Sequence, residues 1–192
     1  MNHSPKYIHR KEELYKQMKA IIMRDGYEHI TVRGICKEIN ISTGTFYHYF
    51  PNKGDLASVL FQSMDSYLTE HANTYFTEDA HRNLLLFCTW YASYTVHQGI
   101  EACRLISSEP LCSDEFNHLD EERPIFQLLH QCITDGQNRN QLISTISPDS
   151  LTRMILISIR GYSSDWAKHH GNYDLEKELL NFMTLLSRSF VV

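Results

Sequence analysis

The chain has 192 residues, 42% of them apolar, with 18 Lys and Arg against 23 Asp and Glu, for a formal charge of −5. No apolar run approaches the roughly 18 residues of a membrane span, and the opening Met1-Asn2-His3-Ser4-Pro5-Lys6 lacks an apolar signal core, so a soluble, cytoplasmic protein is expected. Cys36, Cys88, Cys103, Cys112 and Cys132 form neither a CxxC pair nor a zinc spacing and are expected to be reduced, mostly core thiols.

Charge is distributed unevenly. Residues 1–53 hold nine Lys or Arg against five acids, net +4, which leaves −9 on the remainder of a chain whose total is −5. A basic head on an acidic body suits a protein that grips a polyanion with one end only. The division expected is a small domain over 1–53 and a larger one over 54–192.

In chain order, Ser4-Pro5 opens a first helix whose apolar stripe Leu14, Met18, Ile21 and Ile22 runs until Asp25-Gly26 ends it. Thr31 caps a second, with Val32, Ile35 and Ile39 on one face. Asn40 then stands where a chain leaving a helix needs a left-handed residue, and Ser42 caps a third. In this third helix Phe46 and Phe50, four apart, pack inward, leaving Thr43, Gly44, Tyr47 and His48 outward. A short helix with an uncharged, hydrogen-bonding outer face and a slim start is what the major groove accepts.

After Pro51, Asn52 caps a fourth helix to about Phe76. A fifth, from about Glu78 to Gln98, is rich in aromatics and ends at Gly99. A short helix from Ile100 stops near Glu109-Pro110, 111–123 forms a loop, and Pro124 begins a helix to about Asn138. Ser147-Pro148 and Asp174 open the last two helices, over about 148–169 and 174–190. Neither has a wide polar face, so both contribute to a four-helix dimer interface through Leu151, Ile155, Ile159, Leu175, Leu179, Phe182 and Leu186. The chain reads all-α.

The run Thr31 to Leu56, with Asp25-Gly26-Tyr27 before it, resembles the N-terminal domain of TetR-type transcriptional regulators: Gly-Tyr, then Thr-Val-Arg-x-Ile, then Ser-x-Gly-Thr-Phe-Tyr-x-Tyr-Phe, then a Lys opening helix 4. The resemblance implies DNA contacts from Thr31, Arg33, Ser42, Thr43, Gly44, Thr45, Tyr47, His48 and Lys53. It also implies a homodimer on a pseudo-palindromic double-stranded operator, and a repressor released by a small-molecule effector bound between helices 4 to 8. Three positions depart from the pattern. Gly34 replaces a common acid, removing the reciprocal capping box at a cost of about 1 kcal/mol against Ala; Thr43 replaces a frequent Lys; Asn40 replaces a common Gly.

The effector cavity is expected to be lined by Met64, Trp90, Tyr94, Cys103, His130, Ser158 and Tyr162. That lining offers hydroxyls, thiols and His but few charges, so the expected ligand is largely apolar and not strongly acidic. No Walker loop, GxGxxG, HExxH or GxSxG occurs, and no paired acid or nucleophile suggests catalysis, so neither an enzyme nor a cofactor is expected. Eleven histidines do not chelate in any clear pattern: His97 and Glu101 are four apart, but the neighbours His169 and His170 point apart, and no metal site is assigned. An adaptor that uses the reader fold for protein contacts is disfavoured by the basic head with outward Tyr47, His48 and Lys53.

Overall fold

The computed structural model describes residues 5–51, 53–108 and 120–192, with backbone only at Pro5, Ile8, Glu28, Lys53, Gly54, Asp55, Leu56 and Ser108. The described residues are helical throughout, joined by short turns. The helices are α1 (Pro5–Asp25), α2 (Val32–Glu38), α3 (Thr43–Tyr49), α4 (Lys53–Tyr75), α5 (Ala80–Gln98), α6 (Ile100–Ser108), α7 (Pro124–Asn138), α8 (Pro148–Lys168) and α9 (Leu175–Ser187). A 3-10 turn, Tyr27–His29, follows α1.

The helix starts follow from local chemistry. Thr31, Ser42, Asp79, Ser147 and Asp174 each accept a backbone N–H from three residues on, satisfying a donor the helix cannot. The missing acid at Gly34 is no obstacle, because Thr31 still caps α2 by accepting the Gly34 N–H at 3.0 Å. The expected cap at Asn52, Cys112 and most of the 111–123 loop lie outside the described residues. At the far end, α9 stops at Ser187 rather than near residue 190. The chain then turns so that Phe190 O accepts the Ile143 N–H and Leu142 bridges Val191, which ties the C-terminus to the α7–α8 loop.

Two apolar clusters form. The smaller gathers Leu14, Met18 and Ile22 of α1, Ile35 and Cys36 of α2 and Phe46 and Phe50 around α3 with Val59 and Leu60 of α4 and Ala102 and Leu105 of α6. The larger surrounds α5 with α4, α7, α8 and α9. Helix α4 therefore carries core residues of both clusters, and the reader's core extends two turns beyond residue 53 and onto α6.

The seam between reader and body is built on atoms that cannot yield. Gly26 has φ +78, and a Cβ there would stand 2.3 Å from the His97 carbonyl oxygen at the end of α5. Beside it the buried Gln98 amide donates to Ile22 O (3.1 Å) and accepts the Tyr27 N–H (3.0 Å), while His97 Nε2 lies 3.0 Å from Met23 O. The Met23 carbonyl and the Tyr27 N–H thus find their partners on α5, while Ile22 O accepts both Gln98 and the Gly26 N–H.

Candidate nucleic-acid interface and interior cavity

The α2–α3 unit has the geometry of a helix-turn-helix. Asn40 adopts φ +55, and the Ile41 N–H closes back onto Cys36 O at 2.9 Å, the bond expected when a helix ends through a left-handed residue. Ser42 then accepts the Thr45 N–H at 2.9 Å, and its hydroxyl lies 2.9 Å from the Thr45 hydroxyl, so both side chains act as the cap of α3. Phe46 and Phe50 are buried, with ring centroids 5.4 Å apart, and they anchor α3.

On the outer face Thr43, Gly44, Tyr47 and His48 are exposed, Tyr47 by 57%, so the face presents hydroxyls and an imidazole to solvent. Thr31, Arg33 and Ser42 are exposed on the same unit, and Thr45 is half-buried. Lys53 opens α4, but its side chain is outside the described residues.

Tyr7 supports this face and was not singled out in the sequence. Its hydroxyl donates to His48 O (3.2 Å), its ring stacks on Tyr49 at 4.8 Å and meets the His48 ring edge-on at 5.4 Å. The signal was available: Tyr7 lies two helical turns before Leu14, on the same stripe. Lys6 and Arg10 flank it, beside Tyr49. Arg24 pairs with Glu38 and Asp25 at 2.8 and 2.6 Å, an exposed ion pair that joins α1 to α2. Those hydrogen bonds hold the Glu38 and Asp25 carboxyls below their ordinary range and the guanidinium above its own.

In the body, a cavity of about 320 Å³ lies between α4, α5, α6 and α8. That is the lower end of the range for small-molecule sites. Met64, Tyr94 and Cys103 line it as expected, together with Tyr91, Gln98, Ile106, Ile157 and Arg160.

Four expected lining residues sit elsewhere. Trp90 stacks on Phe76 at 5.7 Å and packs beside His71 and Tyr75, because its position on α5 turns it toward α4's end. His130 faces Asp149 at 3.3 Å, the Ser158 hydroxyl donates to Met154 O within α8, and Tyr162 packs on Phe182 with centroids 4.9 Å apart.

The expected dimer residues also need correction. Leu151, Ile155, Ile159, Leu175 and Leu179 are fully buried inside one chain and have no surface to offer a partner, whereas Phe182 and Leu186 are half-buried. The apolar surface that does remain on these helices is Met154 and Ile157 of α8 and Leu180 and Leu185 of α9.

Burial pushes the Cys88 and Cys132 thiols up to about 12 and Cys103 up to about 11, so all three are inert at neutral pH. Among the described residues no group of three or more His, Cys, Asp or Glu gathers as a metal site, and no helix is long and apolar enough to cross a membrane.

Residues 19–60 match the family of bacterial regulatory proteins, tetR family. No curated protein sequence matches the chain significantly. Among solved structures, a TetR-family transcriptional regulator from Pectobacterium atrosepticum superposes with a TM-score of 0.68 at 17% identity, covering 100% of this chain and 98% of its own. The fatty acid degradation regulator FadR from Bacillus halodurans gives 0.60 at 17%, covering 97% and 96%. A gamma-butyrolactone receptor (ArpA-like protein) gives 0.57 at 17%, covering 97% and 90%. At such identities these structures share the fold alone; it is the matched segment 19–60, which contains the capped α2–α3 unit, that the chain has in common with the tetR family of bacterial regulatory proteins.

Proposed function

We propose that the chain is a cytoplasmic, homodimeric repressor that grips a pseudo-palindromic operator with two copies of α3 and lets go when a small molecule with a largely apolar body enters the body cavity. In this reading residues 1–53 read DNA, residues 54–192 bind effector and pair the chains, and the protein binds rather than catalyses. Thr43, Gly44, Tyr47 and His48 meet the groove. Thr31, Arg33, Ser42, Thr45 and Lys53 hold the backbone around it.

The observation that carries the coupling is Gln98. It lines the cavity and, through the same amide, holds the last turn of α1 and the start of the 3-10 turn. A ligand that displaces this side chain leaves the Tyr27 N–H without its partner, while Ile22 O keeps the Gly26 N–H, and a buried donor left unmade costs about 1–3 kcal/mol. That is enough to shift a two-state balance roughly tenfold.

Linkage fixes the expected result: a cavity ligand that weakens DNA binding by some factor is itself bound more weakly by the same factor when DNA is present. Fluorescence anisotropy of labelled DNA, paired with calorimetric titration of the ligand, measures both arms. In Gln98→Ala the ligand should still bind while its effect on DNA shrinks toward none. Full release of DNA from Gln98→Ala by the ligand removes Gln98 from the coupling.

A further inference from the structure

Polar groups that line a cavity are normally satisfied by the protein, and those that are not reveal what the ligand must supply. In the α4–α5–α6–α8 cavity almost all are satisfied. The Tyr94 hydroxyl lies 2.7 Å from Ser63 Oγ, Thr95 donates to Tyr91 O, and Ser163 donates to Ile159 O. Cys103 points its thiol at Ser163 O, Ser107 pairs with Ser164 at 2.9 Å, and Gln98 is engaged at the seam.

Two groups remain. Arg160 of α8 makes no hydrogen bond and no ion pair with any described residue, although it is half-buried and lines the cavity. Tyr91 of α5, 5% exposed, leaves its hydroxyl without a partner on the same wall. A charge kept from water without a counter-charge is expensive, and proteins pair such groups or leave them for a ligand.

The electrostatic surroundings agree. Burial pulls the Arg160 guanidinium down from its ordinary value, and Arg123 adds like-charge repulsion. Burial pushes the Tyr91 phenol up to about 12, which keeps it a neutral O–H donor, while the Arg160 charge opposes that rise. The nearest buried carboxylate, Asp65, cannot neutralise Arg160 because it is already committed to Arg123 at 2.7 Å. Among the described residues Arg160 therefore has no carboxylate of its own.

We propose that the effector carries a carboxylate, received by the Arg160 guanidinium and the Tyr91 hydroxyl, with its apolar body against Met64, Tyr94 and Ile106. The lining expected from the sequence has few charges and predicts a ligand that is not strongly acidic; Arg160, absent from that lining, supplies a cation. The volume of about 320 Å³ and the one guanidinium in the described lining favour a monoanion of modest length over a dianionic phosphate. This proposal rests on the cavity being the effector site.

The test uses the full chain and the straight-chain acids hexanoate to tetradecanoate against the matching alcohols and alkyl phosphates, with affinities from calorimetry. The best acid should bind on the order of tenfold or more tighter than its alcohol and its alkyl phosphate, as a charge-assisted hydrogen bond to a half-buried guanidinium requires. Arg160→Met should erase that preference while leaving alcohol affinity unchanged, and Tyr91→Phe should weaken the acid severalfold.

Acids and alcohols binding equally, phosphates binding more tightly than acids, or Arg160→Met binding acids as the wild type does, each overturns the carboxylate assignment and leaves the cavity reading standing. An Arg160→Met variant whose defect is in self-association at unchanged acid preference assigns Arg160 to the partner chain and also overturns it. If no compound of any series binds, the cavity is not an effector site and both readings fall.

Discussion

Gly26→Ala should be among the most damaging single-methyl changes in this protein. At φ +78 a side chain is strained, and the new Cβ would stand 2.3 Å from a backbone oxygen of His97 that has no rotamer to escape into. Such strain costs about 1–3 kcal/mol by itself, and relieving the collision requires α1 and the end of α5 to separate, breaking the Gln98 and His97 bonds to Ile22, Met23 and Tyr27. A total loss of about 3 kcal/mol or more corresponds to a Tm lowered by roughly 6–12 °C for a chain of this size. Gly161→Ala is the matched control, since a Cβ there meets nothing within 4 Å and Ala favours the helix by about 0.5–1 kcal/mol. Calorimetric scans of the two variants settle the point, and an unchanged Tm for Gly26→Ala contradicts the seam as described.

The second large effect concerns pairing of chains. Ile157 and Leu185 are 54% and 63% exposed, apolar, and on helices that carry a second, outward apolar stripe. If that stripe is the dimer surface, Ile157→Asp and Leu185→Asp should leave a folded monomer whose DNA affinity falls on the order of a hundredfold, because each half-site alone supplies only part of the contacts. Ile155→Asp, on the opposite face of α8 and wholly buried, should instead fail to fold, since an unpaired charge would enter the core. Sedimentation that finds the wild type monomeric at micromolar concentration removes this prediction.

The contrast between Ile155 and Ile157 shows where sequence reasoning stops. The helical period finds apolar stripes, and α8 has two: Leu151, Ile155 and Ile159 inward, Met154 and Ile157 outward. Periodicity gives angles around one helix axis and says nothing of which neighbour stands at each angle, so the longer stripe reads as an interface when it is the core.

The reader was far more legible, because its determinants are local. Thr31, Asn40 and Ser42 act through bonds to residues within five positions, and those are fixed by residue type and spacing. A cavity is a non-local absence of atoms. Trp90 reads as part of its wall on aromatic content and instead fills the space beside Phe76, while Arg160, which does line it, reads in sequence as one more charge on a helix.

The account's central claim is that the uncharged outer face of α3 reads a two-fold operator, and selection from random duplex DNA by the purified protein tests it most directly. The wild type should enrich an inverted repeat with half-sites about one helical turn or somewhat more apart, with affinity that falls steeply as salt rises. Tyr47→Ala, at a site 57% exposed to solvent, should keep the wild-type Tm yet lose the enrichment. Enrichment of no motif by the wild type, or of the same inverted repeat by Tyr47→Ala at wild-type affinity, would contradict it.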